Sequence, residues 1–195
     1  FNIPVYSTQA VHEGIAKNWC VKKKVSPNQV RYVEKGKTQQ IGDFTVTPFA
    51  VPHDSSDCVG YCVQCEGITF TLVTDCGHVT EEICAFVAKA NYLVIEANHE
   101  VEKLMAGPYP LYLKERITSQ IGHLSNAECA RTIVENATEN LKHVWLCHLS
   151  DENNHPELAR IAVTSLMESY GLRAGVDFIV EVLRRKIPSE IYDLK

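Results

Sequence analysis

The sequence lacks the features that define several familiar classes of protein. No run approaches the roughly 20 apolar residues of a membrane-spanning helix, and the first residues do not form the basic-then-apolar pattern of a signal peptide. There is no glycine-rich phosphate loop and no Gly-x-Ser-x-Gly motif for a serine nucleophile. We therefore predict a cytoplasmic protein without a membrane span, whose chemistry rests on other side chains.

An initiator methionine is also absent. The chain opens on residues 1–6 (FNIPVY), a pattern typical of the entry to a buried strand. Because a natural protein rarely starts inside a core element, we expect further residues to precede Phe1.

Positive charge is scarce. The net charge of −5 at pH 7 argues against a broad basic surface for nucleic acid. Basic residues cluster only at 22–24 and 184–186, and each cluster is typical of a solvated face or tail. A phosphodiester substrate is still compatible with this balance, because bound divalent metal ions would supply positive charge locally.

Cysteine, in contrast, is plentiful. Most of the eight cysteines lie in apolar runs, where a free cysteine behaves as a small hydrophobic residue. Without an export signal, we predict that they are reduced. Cys62 and Cys65 have no second pair at zinc-finger spacing and fall on opposite faces of a strand, so we expect no metal ion there.

Strand and helix patterns alternate along residues 1–195 and predict a single mixed α/β domain. A tight turn at 65–68 predicts an antiparallel hairpin, and 100–121 is predicted to be an irregular loop with a short helix. Helices are predicted at 8–18, 80–90, 125–139 and 156–170, the last two beginning with a capping box and a first-turn proline. Strands are predicted at 3–6, 30–33, 44–51, 58–65, 68–74, 92–96, 143–148 and 177–183.

Three apolar runs lead into a side chain that binds metal ions well. His53 follows the run 44–51, and Asp75 and His148 directly follow the next two such runs. Imidazole and carboxylate groups hold divalent ions such as zinc and manganese, and loops at strand ends converge on one edge of a sheet. One histidine at a strand end is more often structural. Three such residues in one domain leave a shared metal site and separate structural roles equally open.

His123 has a different setting. It precedes the helix that Ser125 caps, so it lies beside the positive end of that helix, where we expect free backbone donors. Such a place attracts phosphate, and a histidine there can donate a proton to a leaving oxygen. The alternative is a loop histidine that only packs against the start of the helix.

Five motifs occur in order along the chain: 52–54 (PHD) with 60–61 (GY), 74–77 (TDCG), 96–99 (EANH), 122–126 (GHLSN), and 148–150 (HLS) with 153–154 (NN). Together they resemble the metallo-β-lactamase superfamily, in particular its bacterial branch of exonuclease-like phosphodiesterases of the YycJ/WalJ type. The resemblance implies a four-layer αβ/βα sandwich and a metallo-hydrolase with two divalent metal ions, zinc or manganese, with iron as an alternative. Its natural substrate would be DNA or another phosphodiester.

The resemblance also implies roles for individual residues. His53 would be a terminal ligand of one metal ion, Asp75 would bridge both ions, and His148 would complete the second. His123 matches the histidine that acts near the scissile phosphate. The metals would activate the attacking hydroxide and stabilise the charge that develops on the phosphate.

One signature of the superfamily is absent. The motif His-x-His-x-Asp-His normally lies upstream of a segment like residues 2–6, and these 195 residues do not contain it. We therefore expect a domain that lacks its N-terminal strands and first metal motif. Such a fragment would bind metal weakly and catalyse little.

Other polar residues are candidates for orienting ligands or contacting substrate. Asp54 either orients His53 or only turns its loop. Glu96 and His99 follow the strand 92–96 at a rim of the site, and a solvent-facing loop is favoured for His99. Ser125 belongs to the motif at 122–126. Asn154 and the asparagine before it either line a substrate groove or cap the next helix, and the cap is favoured.

Three functions are considered. The first is a two-metal phosphodiesterase that acts on DNA ends. The second is hydrolysis of another ester on the same scaffold, such as a thioester or lactone, against which His123 at a helix N-terminus argues because that position favours phosphate. The third is a non-catalytic binding protein with a degenerate metal site. The sequence does not indicate an oligomeric state.

Overall fold

A computed structural model describes residues 2–195. Its strands are β1 Val5–Ser7, β2 Val30–Tyr32, β3 Gln39–Ile41, β4 Phe44–Ala50, β5 Val59–Cys65, β6 Ile68–Val73, β7 Tyr92–Glu96, β8 His143–Cys147 and β9 Ile179–Val182. Its α-helices are α1 Gln9–Lys17, α2 Glu81–Lys89, α3 Val101–Ala106, α4 Leu111–Ile117, α5 Asn126–Asn136 and α6 Pro156–Ser169, and Pro27–Gln29 forms a 3-10 turn. Within residues 2–195, no helix has the length and apolar character to cross a membrane.

A mixed sheet of seven strands forms the centre of the molecule. Strands β3 to β9 lie in sequence order, antiparallel from β3 to β6 and parallel from β6 to β9. Strands β1 and β2 form a separate two-stranded parallel sheet. As a consequence, β4, β6, β7 and β8 all run in the same direction and end at the same edge of the large sheet.

The hydrophobic core lies between the large sheet and three helices. Alternate residues of a strand face opposite sides of the sheet, and Leu93 and Leu146 face the apolar sides of α2, α5 and α6 in one continuous buried cluster. On the opposite face, the C-terminal segment covers Trp145, whose ring centroid lies 4.8 Å from that of Tyr192. This packing fixes the strand ends relative to the helices that follow them.

Most predicted elements are confirmed, with ends shifted by up to three residues. The hairpin between β5 and β6 turns through Glu66 and Gly67, whose φ angles are +49° and +79°, as a two-residue hairpin turn requires. The capping box of Ser125 and Glu128 is present at the start of α5. Cys62 is buried on β5 and Cys65 is half-buried, and all eight cysteines are free thiols.

Three local predictions are wrong. The N-terminal segment is not the entry to a buried strand: residues 2–4 are exposed, because β1 pairs only with β2 in the small sheet. Strand β3 is missing from the predicted strands, since its sequence QQI has little of the β-branched and aromatic character of strands. The segment 100–121 contains two short helices rather than one, and each is too short for an apolar period to show.

His99 does not lie in a solvent-facing loop. It is 2% exposed, and its backbone carbonyl accepts a hydrogen bond of 2.8 Å from the Asn126 N–H at the start of α5. The side chain of Asn154 donates to the carbonyls of Ala97 and Asn98, at 2.8 and 3.0 Å. The loop that follows β7 is therefore buried, and these hydrogen bonds hold it there. Burial lowers the pKa of His99, opposed by nearby carboxylates such as Glu128.

Gly77 and Gly122 allow two loops to approach each other closely. A methyl group added at Gly77 would lie 2.5 Å from the Gly122 nitrogen, and one added at Gly122 would lie 2.2 Å from the Ile117 carbonyl oxygen. The Gly77 N–H donates to the Pro52 carbonyl at 2.7 Å. The segment 117–122 therefore packs directly against the turns that follow β4 and β6.

We expect Gly77→Ala to destabilise the fold, because its methyl group has no space. Overpacking of this kind costs ~1–3 kcal/mol, measurable as a loss in the free energy of unfolding in urea. Gly14→Ala, inside α1, is the matched control, since its Cβ would make only ordinary contacts with Ser56, at 3.6 Å from the Oγ and 3.9 Å from the Cβ. Its stability should stay constant or rise by up to about 1 kcal/mol. Equal losses in the two variants would contradict the steric explanation.

Acidification should destabilise the wild type through His99. Because the pKa of His99 is lower in the folded state, the unfolded chain binds more protons at this residue. The contribution of neutral His99 is therefore complete above the unfolded pKa of about 6.5 and is lost as the pH falls below it. His99→Gln cannot take up this proton, so its free energy of unfolding should decline less between pH 7 and 5.5. Parallel pH curves for the variant and wild type would refute this.

Candidate functional site

The predicted ligands converge at one edge of the large sheet. His53 lies beyond the end of β4, while Asp75 and His148 lie just beyond β6 and β8. The Asp75 Oδ1 atom is 3.6 Å from the Nε2 of His53 and 3.6 Å from the Nδ1 of His148. His123 joins them from the loop before α5, with its Nδ1 3.9 Å from the same oxygen. The structure thus brings together all four residues singled out as ligands or proton donor.

Glu96 is at the centre of this group, and its assignment to a rim is wrong. It ends β7 and is fully buried. Its Oε1 accepts hydrogen bonds of 2.7 Å from the Nδ1 of both His123 and His148, and its Oε2 accepts one of 2.8 Å from the Cys76 N–H. The sequence does carry one signal, an apolar strand ending in a carboxylate as at Asp75, but that signal does not distinguish a buried carboxylate from one at a rim.

The hydrogen bonds of Glu96 shift its own pKa and that of His148. Burial by itself would raise the pKa of Glu96, but the bonds from His123 and His148 outweigh it and lower the pKa to about 2. The hydrogen bond between His148 and Glu96 also raises the pKa of His148, and burial of His148 opposes this rise. Glu96 is therefore a carboxylate at neutral pH, able to accept from both rings or to bind a cation.

His53 is held in one tautomer. Its Nδ1 donates to the Gly122 carbonyl oxygen at 3.0 Å, since a carbonyl can only accept. The Nε2 atom, which then carries the lone pair, lies 3.6 Å from the Asp75 Oδ1, and the ring centroid lies 4.9 Å from that of His123. A backbone partner on the far nitrogen is the usual way in which a metal-binding histidine is oriented.

Two site residues have an unusual backbone. Asp75 and His148 have φ angles of +53° and +55°. This left-handed region is uncommon for residues other than glycine, and such strain concentrates at functional sites. The Asn98 side chain donates to the His148 carbonyl at 2.9 Å and so holds one of these turns. The Asn154 side chain in turn donates to the Asn98 carbonyl at 3.0 Å. Asn154 does not cap α6, because the N-cap of that helix is His155.

The donor set suits a divalent metal ion. One atom each from Asp75, Glu96, His123 and His148 lies within 4.8 Å of the others. Ligands bonded at about 2.1 Å to one ion lie at most about 4.2 Å apart, so a small contraction is enough. Imidazole and carboxylate ligands fit zinc, manganese or iron. An ion held by the two Nδ1 atoms would displace their protons.

The surroundings of the cluster differ from expectation at two points. The Asp54 carboxylate is paired with Arg116, which is the main cause of its lowered pKa, and lies 3.5 Å from the His53 Nε2. The start of α5 offers fewer free donors beside His123 than expected, since among residues 125–128 only the Ala127 N–H has no hydrogen-bond partner in the described part of the chain. The N–H groups of Ser125 and Glu128 are used by the capping box, and Asn126 donates to His99. Ser125 acts as that cap.

A cleft of about 650 Å³ opens above the cluster. His123 and His148 contribute to its floor, and three arginines and one carboxylate line it: Arg116, Arg184, Arg185 and Asp151. A molecule bound in the cleft would therefore reach the two histidine rings directly and meet a predominantly positive lining.

Comparison with known proteins identifies relatives of the chain. It is 31% identical over 195 residues to exodeoxyribonuclease YycJ of Bacillus anthracis, covering 98% of this chain and 71% of the relative. It is 38% identical over 157 residues to exodeoxyribonuclease WalJ of Streptococcus pneumoniae serotype 2, covering 80% of this chain and 58% of that relative. The chain thus spans between about half and three quarters of the length of these proteins.

Comparison with solved structures points to the same kind of fold. The metallo-β-lactamase fold protein YhfI of Bacillus subtilis superposes with a TM-score of 0.64 at 16% identity, over 93% of this chain and 62% of that one. A family model described as "Beta-lactamase superfamily domain" matches residues 1–148. The predicted fold class is confirmed, and the family together with the His/Asp/Glu cluster supports the use of divalent metal. This chain belongs to the metallo-β-lactamase superfamily of hydrolases and is similar to its YycJ/WalJ-type members.

Proposed function

We propose that the chain carries part of the active site of a metal-dependent phosphodiesterase that acts on DNA ends. The observation that supports this most is the convergence of His53, His123 and His148 on the Asp75 carboxylate. The curated relatives are named exodeoxyribonucleases. That name and the arginine-lined cleft favour a phosphodiester over a thioester or lactone, which carries no comparable negative charge.

Two metal ions are proposed, with Asp75 shared between them. Its Oδ1 is equally distant, at 3.6 Å, from ring nitrogens of His53 and His148, which approach from different strand ends. His53 would hold one ion and His148 the other, with Glu96 as a further carboxylate close to His148. Such ions activate water and offset the charge that develops on a phosphate.

His123 is proposed to deliver a proton to the leaving oxygen. The bond from its Nδ1–H to Glu96 fixes the ring, because Glu96 is itself buried and held by the Cys76 N–H. Nε2 is then the nitrogen through which a proton can be given to a substrate in the cleft. The alternative assignment, His123 as a metal ligand, is supported by its place in the four-residue cluster.

Turnover is best tested in the full-length gene product, since this chain spans only part of the length of its relatives. Metal binding can be tested both in that product and in the 195-residue chain. Elemental analysis should find about two metal ions per protein, and the hydrolysis of a labelled DNA strand should depend on them. Full-length protein that stays metal-free in metal-replete medium would refute the hydrolase. Metal binding without hydrolysis of any ester would favour the binding-protein alternative, and hydrolysis of a thioester but not a diester would favour the other ester class.

Asp75→Asn should abolish turnover, because it removes the charge shared by the two ions. The loss should exceed the roughly 10–100-fold typical of losing a partner outside the ligand shell, and the metal content should fall. Initial rates on labelled DNA and elemental analysis measure the two effects. Asp43→Asn, in the exposed turn between β3 and β4, is the matched control and should retain both properties. If Asp75→Asn turned over DNA at the wild-type rate, the assignment of Asp75 to the active site would be refuted.

His123→Ala separates the two roles proposed for this residue. A proton donor contributes about 10²–10⁴-fold to the rate, so turnover should fall by that factor while about two metal ions remain bound. A leaving group that needs no protonation, such as 4-nitrophenolate, should restore most of the rate. If metal is lost from His123→Ala, the residue is a ligand and the proton donor lies elsewhere.

A further inference from the structure

One wall of the cleft carries the basic cluster that the sequence places near the C-terminus. Residues 183–185, which follow β9, line the cleft on this side, together with 149–151 after β8. His148 lines the same cleft. The side chains of 184–186 are exposed, as a solvated face predicts, but the segment is not remote from the site. It lies beside the floor of the candidate active site.

The arginines on this wall are only lightly neutralised. The Arg184 guanidinium makes no hydrogen bond or ion pair with any residue in the described part of the chain, 2–195. Arg185 has a loose contact of 3.7 Å with Asp151, which also lies 3.6 Å from Lys186, and these three side chains are at least half exposed. The wall thus has an excess of positive charge in a chain whose net charge is −5.

A second part of the cleft lining, the aromatic wall, has a different character. Its residues come from the segment 109–117, from the loop before α4 to its end. Tyr109 and Leu113 are half-buried and line the cleft there, so they offer an aromatic ring and an apolar surface. Arg116 lines the cleft too, but its charge is balanced by a bidentate pair with Asp54.

We propose that the cleft binds a single nucleic-acid strand, with Arg184 and Arg185 on the phosphates that flank the scissile bond and Tyr109 stacked on a base. A strand presents both phosphates and bases, and the cleft lining offers arginines for the former and an aromatic ring for the latter. Arginine binds phosphate as a planar, permanently charged group, and base stacking on an aromatic side chain tolerates any sequence. This inference rests on the proposed function for the presence of DNA, but it assigns binding residues outside the metal cluster.

The basic wall is tested by binding in full-length protein. Fluorescence anisotropy of a labelled single-stranded 12-mer, in EDTA to prevent cleavage, gives Kd as a function of salt. Each phosphate of a single strand that a basic side chain neutralises contributes about 0.7 to the slope of log K against log salt. R184Q/R185Q should therefore lower the slope by about 1.4 and weaken binding most at low salt.

The control removes the same charge elsewhere. Lys22 and Lys23 form the other basic cluster, are exposed and do not line the cleft. K22Q/K23Q should keep the wild-type slope. Equal slopes for wild type and R184Q/R185Q, or equal reductions in the two double variants, would overturn the assignment. A 12-bp duplex that binds as well as the single strand and is weakened as much by R184Q/R185Q would overturn the single-strand part.

The aromatic wall is tested separately. Tyr109→Leu should weaken binding by about 5–100-fold, the range that one stacked base contributes, with the salt slope unchanged. Tyr109→Phe keeps the ring and should restore binding. If the Phe and Leu variants bind equally, stacking is refuted. Wild-type hydrolysis of bis(4-nitrophenyl) phosphate with metal tests the proposed function itself, so a failure there can be told from a failure of the strand-binding walls.

Discussion

The buried carboxylate of Glu96 is the constraint on which the rest of the site depends. An unpaired charge at a fully buried position costs several kcal/mol, and three hydrogen bonds offset that cost here, from His123, His148 and the Cys76 N–H. The positions of the two rings follow from this need. The elements that supply them, the loop before α5 and the turn after β8, are thereby tied to β7.

Much of the site could be predicted from sequence because it follows from strand direction. His53, Asp75 and His148 follow apolar runs, and strands β4, β6 and β8 run in the same direction, so the three side chains meet at one edge. Glu96 ends a strand in the same way, yet sequence alone does not tell a buried carboxylate from one at a rim. Burial of His99 depends on Asn154, which lies more than fifty residues further along the chain.

Charge illustrates a second limit of sequence reasoning. A net charge of −5 counts every ionisable group equally, while a bound molecule meets only the groups that line its site. The sequence of residues 184–186 predicts a solvated face or tail, because nothing local indicates that these residues lie beside a site. Only the pairing of β9 with β8 brings them to the edge where the histidines lie. The roles of individual residues and the number of ions stay predictions.

The left-handed backbone at Asp75 and His148 sets folding and chemistry in competition at these two positions. Glycine would relax each turn, since it adopts such angles at little cost, but it would remove a carboxylate or an imidazole from the cluster. Selection for thermal stability alone would therefore favour glycine at these two positions, at the expense of function. Retention of Asp and His there, in variants selected only for folding, would indicate that the side chains also stabilise the fold.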